Sequence, residues 1–183
     1  MQKLLNEMSA VRKQLNKDLN DFLPIPTDKT ATVIQAMRYS VISTGKALRP
    51  FLVYQIASLL GIPAQQVKPV AVAIEMAHTY SLIHDDLPAM DNDTLRRGQP
   101  TCHIAFDEAT AILAGDGLLT LAFDVLSTTK AKNTANVIKL IQYFATVLGA
   151  KGMIGGQIMD LLGEKTALTL KEVQQLQSLK QGR

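Results

Sequence analysis

Residues 65–86 read QQVKPVAVAIEMAHTYSLIHDD, a run in which apolar side chains occupy nearly every helical face until its acidic end. A helix that is apolar all round is buried on every side, at the centre of a bundle. We therefore predict a central helix over this range, which delivers His78, His84, Asp85 and Asp86 at its C-terminal end.

The helical period extends over the rest of the chain. Apolar residues at three- and four-residue steps predict a first helix that ends before Pro24, and Pro50 suits the first turn of a third helix that closes at Gly61. Other helices are predicted at about 30–42, 104–126, 134–148, 153–162 and 169–179, with a charged loop at 88–100. We find no period-2 strand, hairpin dipeptide or internal repeat, so the sequence predicts an all-α fold in a single helical domain, residues 1–183.

Composition limits the classes of protein. The chain of 183 residues is 47% apolar, enough for one domain with a substantial core, and its 19 Lys and Arg against 16 Asp and Glu suit an anionic ligand of any size. A lone cysteine, Cys102, excludes an internal disulfide and favours a reducing compartment. The N-terminus is charged where a signal peptide is apolar, and no long uninterrupted apolar run occurs. We expect a cytoplasmic protein without a membrane span.

The strongest chemical signal is DDLPAMDND, residues 85–93, which Arg96 and Arg97 follow. Its four carboxylates repel one another at a helix C-terminus, where negative charge is already disfavoured. Cations between them would relieve this repulsion, and Mg²⁺ typically bridges one or two carboxylates to phosphate oxygens. The arginine pair adds planar donors that match phosphate. The alternative is a solvated charged loop.

One geometric difficulty accompanies a metal site on this motif. Asp85 and Asp91 are the candidate ligands, and on a regular helix residues at their spacing point about 120° apart. We therefore expect the helix to distort, and Pro88 is the place where it should do so.

Residues 80–98 resemble the first aspartate-rich motif of the trans-polyprenyl diphosphate synthase family, in the form with two extra residues between the aspartates that is found in bacterial farnesyl diphosphate synthases. Three more segments agree in order. Gly45–Pro50 is similar to the basic isopentenyl-diphosphate motif, His78 to the helical histidine, and Gly155–Asp160 to the Gly-Gly-Gln-x-x-Asp element. The resemblance covers essentially the whole chain and implies an isoprenoid synthase-type helical bundle that is incomplete at its C-terminus.

The resemblance also implies roles for individual residues. Metal binding falls to Asp85 and Asp91, and catalysis to these two with Asp86, Arg96 and Lys180. The implied substrate-binding residues are Lys46, Arg49, His78, Arg96, Arg97, Gln157 and Lys180, and the implied chain-length residues are Tyr80 and Ser81.

Several of these positions can also be explained from residue type and position, without the resemblance. Lys46 and Arg49 lie at the start of a helix, where free N–H groups favour an anion, although two solvated cations near a turn are an alternative. His78 lies two turns before Asp85 and faces the same way, although a lone buried histidine is often a core residue. Gly155 and Gly156 suit close helix packing equally well, and Tyr80 suits a core position.

The implied reaction is magnesium-dependent ionisation and condensation, with about three Mg²⁺ in a complete site and about two at the first motif. Isopentenyl diphosphate would react with dimethylallyl or geranyl diphosphate to give a farnesyl product. The family also implies a homodimer. Two departures from its pattern weaken the binding sites: Ala47 replaces an arginine of the basic motif, and Gln181 replaces the threonine after Lys180.

The sequence contains one aspartate-rich motif, whereas the family clamps its metals between two. The chain therefore resembles about the first three-fifths of a synthase, and we expect it alone to bind metal and diphosphate poorly and to turn over little or nothing. An alternative is a non-catalytic truncated or regulatory subunit of the same fold.

A cyclase is disfavoured, because the basic motif and the arginine pair serve two diphosphates. A nucleic-acid-binding domain is disfavoured by scattered lysines, and an EF-hand by the missing ligands after Asp93.

Overall fold

The computed structural model describes residues 2–42 and 45–181, with only the backbone of Gln181 described. It forms two compact units, Met1–Lys130 and Ala131–Arg183. The first unit contains helices α1 (Gln2–Phe22), α2 (Ala31–Val41), α3 (Leu48–Leu59), α4 (Ala64–Asp85), α5 (Cys102–Ala105) and α6 (Glu108–Ser127), and strands β1 (Leu95–Arg96) and β2 (Gln99–Pro100). The second contains α7 (Thr134–Leu148), α8 (Met153–Lys165) and α9 (Leu170–Gln181). The all-α prediction is confirmed, while the single domain stays a prediction.

Helix α4 is the centre of the first unit, as predicted. It packs against α6, α3, α2 and α1, and the stretch 71–80 is buried except at Ile74 and His78. Val72 and Met76 are fully buried, and so are Leu118 and Leu126 of α6. Each such side chain stabilises the fold by about 1.5–3 kcal/mol relative to an exposed one. The helix is therefore fixed by its apolar middle, which leaves its acidic end at the edge of the core.

Ion pairs of Lys68 and Glu75 attach α1 to α4. Asp18, which is buried, lies 2.8 Å from Nζ of Lys68, and Nη1 of Arg12 lies 3.3 Å from Oε1 of Glu75. Burial and the Asp18 carboxylate together raise the pKa of Tyr54 to about 12. Buried charges require partners, so these pairs set the position of α1 along α4.

The prediction of an unbroken helix over 104–126 is wrong. Helix α5 ends at Ala105, and Asp107, with φ −162°, begins a new helix as its N-cap. The Asp107 carboxylate accepts a hydrogen bond of 2.8 Å from the backbone N–H of Thr110. An aspartate in this position ends one helix and starts another even where the apolar period continues through it.

The prediction that 88–100 contains no strand is also wrong. β1 and β2 pair as a short antiparallel hairpin, whose turn residues Arg97 and Gly98 have φ of 55° and 80°. Tight hairpin turns usually carry Asn-Gly or Asp-Gly, so the Arg-Gly pair gave no signal. Thr101 anchors the hairpin, since its N–H donates to Thr94 O at 3.0 Å and its hydroxyl to Asp93 O at 2.8 Å.

In the second unit α8 and α9 approach closely at Gly156. A Cβ built at Gly156 would lie 2.9 Å from the backbone N and 2.8 Å from Cγ of Lys180. A capping box begins α9, since the Glu172 carboxylate accepts from the Thr169 N–H at 2.7 Å. The alternative explanation of the glycine pair as a packing feature therefore holds at Gly156.

Two stretches, Glu108–Ser127 and Thr134–Lys165, are long and apolar enough to cross a membrane by length and composition. These two properties do not establish a span, because the core helix of a water-soluble protein has them too. The expected absence of a membrane span stays a prediction.

Gly156→Ala should loosen the contact of α8 with α9. The added methyl meets backbone, which cannot give way, so we expect a net loss of about 1–2 kcal/mol despite the higher helix propensity of alanine. Amide hydrogen exchange of α9 and thermal unfolding would report it. Gly163→Ala is the matched control, because its Cβ would meet the movable side chain of Leu168, at 3.0 Å from Cδ1 and 3.3 Å from Cγ, and no backbone atom. Equal stability of the two variants would contradict the prediction.

Candidate active site

The chain turns sharply where α4 ends at Asp85. The N–H of Asp91 donates to Asp85 O at 2.8 Å, and the N–H of Asn92 donates to Leu87 O at 3.1 Å. Pro88 lies in this turn. The predicted distortion at Pro88 is thus confirmed. The backbone bond joins the main chains of the two candidate metal ligands, a contact that a continued helix would not make.

Two carboxylates at this place fit a magnesium ion that also takes phosphate oxygens and water. Asp85 is half-buried and Asp91 exposed. In the described part of the chain, no group of three or more His, Cys, Asp or Glu side chains forms a ready-made metal site. The donor set therefore suits Mg²⁺ bridged to a diphosphate and does not suit an ion enclosed by protein alone.

Asp86 points elsewhere and binds Arg96. Only 3% of Asp86 is exposed, and both of its oxygens accept from Nε of Arg96, at 2.7 and 2.9 Å. This hydrogen bond raises the pKa of Arg96, with the charges of Asp86, Asp93 and Asp85 acting in the same direction. The structure thus makes Asp86 the residue that orients Arg96, and the roles predicted for both in catalysis stay predictions.

The basic segment meets the hairpin at Gly45. A Cβ built at Gly45 would lie 2.6 Å from Cζ of Arg97 and would overlap its Nη1. The guanidinium of Arg97 therefore packs against the bare backbone of Gly45, beside Lys46. Lys46 and Arg49, both exposed, flank the start of α3, as predicted.

His78 lies among these cations. Burial, together with the positive charges of Arg49, Arg97 and Arg96, lowers the pKa of His78 to about 4. The imidazole is therefore neutral at physiological pH and can donate one hydrogen bond to an anion. The structure brings Arg97 onto the segment that precedes Arg49, and the charges of Arg49, Arg96 and Arg97 all reach His78, although the sequence places these residues in three separate segments.

Backbone strain marks the same region. In the described ranges, the non-glycine residues with positive φ are Ala47 (48°), Asn92 (54°) and Arg97 (55°). One lies in the basic segment, one follows Asp91, and one is a predicted substrate-binding residue. Strained residues cluster at sites where the surrounding structure holds them for function.

The two chain-length candidates lie one helical turn and more below the aspartates. Tyr80 is buried, and its ring meets the ring of His84 edge-on at 5.6 Å between centroids. The Ser81 hydroxyl donates to His78 O at 2.8 Å. Nε2 of His84 donates to Ile112 O at 3.1 Å, so Tyr80 is backed by a ring that α6 holds in place.

The remaining candidates belong to the second unit. Lys180 forms an ion pair with Asp160, and Gln157 lies one turn before Asp160 on α8. The Gly-Gly-Gln-x-x-Asp element and the predicted lysine are therefore neighbours within this unit. Their contact with a diphosphate stays a prediction.

Sequence reasoning missed two charged residues next to this cluster, Arg12 and Glu75. Glu75 is 4% exposed, and burial raises its pKa while the charges of Arg12, Arg97 and Arg49 lower it. A glutamate in the middle of an otherwise apolar helix was the available signal, since buried carboxylates are rare without partners.

An open pocket lies beside the hairpin. Its lining residues are Tyr39, Ser40, Thr79, Leu82, Ile83, Asp86, Arg96, Arg97, Gln99, Pro100, Thr101 and Cys102. Burial raises the pKa of the Cys102 thiol, which keeps it protonated and unreactive at neutral pH. The chemistry of this region is therefore that of paired carboxylates and guanidiniums.

The chain is similar in sequence to known proteins. A family model described as Polyprenyl synthetase matches residues 30–182. The chain belongs to the polyprenyl synthetase family. It is 45% identical over 176 residues to a farnesyl diphosphate synthase of Haemophilus influenzae, and 44% identical over 179 residues to that of Escherichia coli. Each alignment covers 96% of this chain and 60% of the relative, so the chain spans about three-fifths of the length of these polyprenyl synthetases.

Solved structures agree as well. The crystal structure of an FPP/GFPP synthase from Zymomonas mobilis matches with a TM-score of 0.93 and 42% identity, over 97% of this chain and 65% of that one. A geranyltransferase from Legionella pneumophila matches with a TM-score of 0.87 and 37% identity, over 98% and 62%. The isoprenoid synthase-type helical fold expected for a polyprenyl synthetase is thereby confirmed.

The low pKa of His78 predicts acid sensitivity. The unfolded chain takes up a proton at His78 near pH 6.5 and the folded chain only near pH 4, so stability from this residue is present above about 6.5 and is lost as the pH falls towards 4. Between pH 7.5 and 4.5, the free energy of unfolding should fall in both proteins. We expect the fall to be about 2–3 kcal/mol smaller in His78→Gln than in the unmodified chain. Urea unfolding at both pH values measures this difference. Parallel losses in both proteins would contradict it.

Proposed function

We propose that this chain carries the isopentenyl diphosphate site and the first metal-binding motif of a farnesyl diphosphate synthase. Such an enzyme is a prenyltransferase that condenses isopentenyl diphosphate with dimethylallyl or geranyl diphosphate. The observation that carries the proposal is the packing of Arg97 on Gly45, with His78 in the field of Arg49, Arg97 and Arg96. The relatives named farnesyl diphosphate synthase support the choice of reaction.

The cationic cluster binds the diphosphate of isopentenyl diphosphate. Arg49 and Arg97 offer planar forks that match two phosphate oxygens, and Lys46 adds a mobile charge next to Gly45. His78 donates a hydrogen bond without adding a positive charge. The arrangement anchors the substrate by its charged end and directs its isoprene unit towards apolar surface.

The carboxylates of Asp85 and Asp91 would hold Mg²⁺ against the diphosphate of the allylic substrate. When bound, the ion supplies a Lewis acid that neutralises charge on the leaving diphosphate. Arg96, oriented by Asp86, faces the same charge. A role for Lys180 and Gln157 in binding diphosphate is proposed from the resemblance alone. These donors stabilise the leaving group as negative charge develops on it.

The proposed reaction breaks the C1–O bond of the allylic substrate, and the bonding pair leaves with the diphosphate. The double bond of isopentenyl diphosphate then supplies the pair for the new C–C bond to C1. A proton is lost from the resulting cation to the departing diphosphate. The apolar side chains of α4 and its neighbours keep water from that cation.

Three further properties belong to the proposal. The complete enzyme is magnesium-dependent, acts in the cytoplasm, and forms a homodimer without nucleic acid or a membrane span. The 183 residues alone turn over little, because they contain a single aspartate-rich motif. Geranyl and isopentenyl diphosphates with Mg²⁺ should therefore yield little product, and robust turnover by this chain would overturn that statement.

A regulatory subunit is the alternative, and it would dimerise with an active synthase and change its rate.

Gly45→Ala should weaken the binding of isopentenyl diphosphate. Its methyl group displaces the guanidinium of Arg97, which is the movable end of a side chain, so the fold should survive. The loss of one charge-assisted bidentate contact corresponds to about a tenfold lower affinity. NMR titration without Mg²⁺ measures it, with Gly163→Ala as the control. Unchanged affinity would place the ligand away from Arg97.

Tyr80→Ala should lengthen the product. The buried ring of Tyr80 fills the space below the aspartates, and its removal opens a channel for a longer tail. The test uses residues 1–183 joined to the second aspartate-rich part of a relative, with chromatography of the dephosphorylated products. Ser81→Ala in the same chimera is the control, since it changes little volume. A product of unchanged length would remove Tyr80 from this role.

A further inference from the structure

A buried carboxylate lies behind the proposed isopentenyl diphosphate site and has no part in the mechanism above. Glu75 is on α4, one helical turn before His78, and 4% of it is exposed. Its Oε1 lies 3.3 Å from Nη1 of Arg12 on α1. Burying a carboxylate costs several kcal/mol unless cations surround it, so its presence in an apolar helix calls for an explanation.

Beyond its contact with Arg12, Glu75 lies within electrostatic range of two arginines of the site. The positive charges of Arg12, Arg97 and Arg49 all act on this carboxylate, and Arg97 also acts on Arg12. Guanidiniums gathered at one place repel one another, most strongly at the half-buried Arg12, because Arg49 and Arg97 are exposed to water, which weakens the repulsion between them. A carboxylate among them offsets that repulsion, so that the guanidiniums stay together before an anion is bound.

We infer that Glu75, held by Arg12, is a positioning residue that keeps Arg49 and Arg97 converged beside His78, ready for a diphosphate. This inference rests on the proposed function of the site. Glu75 itself does not touch the substrate, because a carboxylate next to a diphosphate would repel it. It acts through the two arginines, while Arg12 fixes its direction from α1.

The need to attach α1 to α4 does not explain why a carboxylate is buried at Glu75. Asp18 and Lys68 already join the same two helices at 2.8 Å, and Tyr54 lies at 3.5 Å from the second oxygen of Asp18. Asp18 is as buried as Glu75, at 2% exposed. Asp18→Asn is therefore a matched control, since it removes a buried carboxylate between the same helices outside the cationic cluster.

Glu75→Gln tests the inference because positioning and simple charge removal predict opposite changes in the affinity for isopentenyl diphosphate. The substitution keeps the size of the side chain and removes its charge. If charge alone mattered, losing a negative group near the site would strengthen the binding of an anion. Positioning predicts the opposite, a loss of about tenfold in affinity for isopentenyl diphosphate, because the two arginines separate.

The measurement is an NMR titration with isopentenyl diphosphate, without Mg²⁺, on the unmodified chain, Glu75→Gln and Asp18→Asn, each checked for helical content by circular dichroism. We expect weaker binding in Glu75→Gln alone. Unchanged or tighter binding in Glu75→Gln, or an equal loss in both variants, would overturn the inference. Glu75→Asp retains the charge and should recover most of the affinity. If Glu75→Gln does not fold, Arg12→Gln takes its place with the same expected loss.

A second readout needs no ligand. The imidazole resonance of His78, followed against pH, reports the nearby arginines. If Glu75→Gln lets them move away, the pKa of His78 rises towards its ordinary value, whereas removal of a negative charge alone would lower it. A rise in Glu75→Gln but not in Asp18→Asn supports the inference however weakly the unmodified chain binds isopentenyl diphosphate, since that affinity bears on the proposed function alone. A fall or no change overturns the inference.

Discussion

A carboxylate withdrawn from water needs a cation beside it, and this constraint shapes the acidic end of the central helix. Asp86 is nearly inaccessible and is bound by Arg96, so the hairpin that carries Arg96 must lie against the end of α4. Glu75 and Asp18 impose the same requirement on α1 through Arg12 and Lys68. Packing of apolar side chains makes α4 central, and these buried charges decide which elements surround its polar end.

The ion pair of Asp86 with Arg96 also determines where the neighbouring candidate site residues lie. Asp86 is paired with Arg96, and a backbone hydrogen bond joins Asp85 and Asp91, the two predicted metal ligands. Arg97, adjacent to Arg96 in the hairpin turn, is carried onto Gly45 by the same placement. The arginine that pairs with Asp86 and the arginine that packs on Gly45 are therefore neighbours in one short segment. The positive φ of Arg97 is the conformational strain that accompanies this arrangement.

Several elements could be predicted from local pattern because their causes are local. The apolar faces of residues 65–86 specify a buried helix, and Pro24, Pro50 and Gly61 mark helix ends through their own backbone preferences. The local pattern did not predict the hairpin at 95–100 or the helix break at Asp107. In the first, tertiary contacts hold an arginine in a left-handed turn, and in the second, a side-chain cap interrupts an apolar period that runs on. The interpretation of residues 85–93 as two metal ligands was possible only with the added expectation of a bend.

The sequence by itself determined the helical class, the central helix, the chemical character of its acidic end and the membership of the chain in its family. These follow from the order and spacing of residue types, which act over a few helical turns. Tertiary structure alone decided that Asp86 binds Arg96, that Arg97 packs on Gly45 and that Glu75 pairs with Arg12. Such pairings join segments far apart in the chain. Their energies depend on burial and distance, which no local pattern contains.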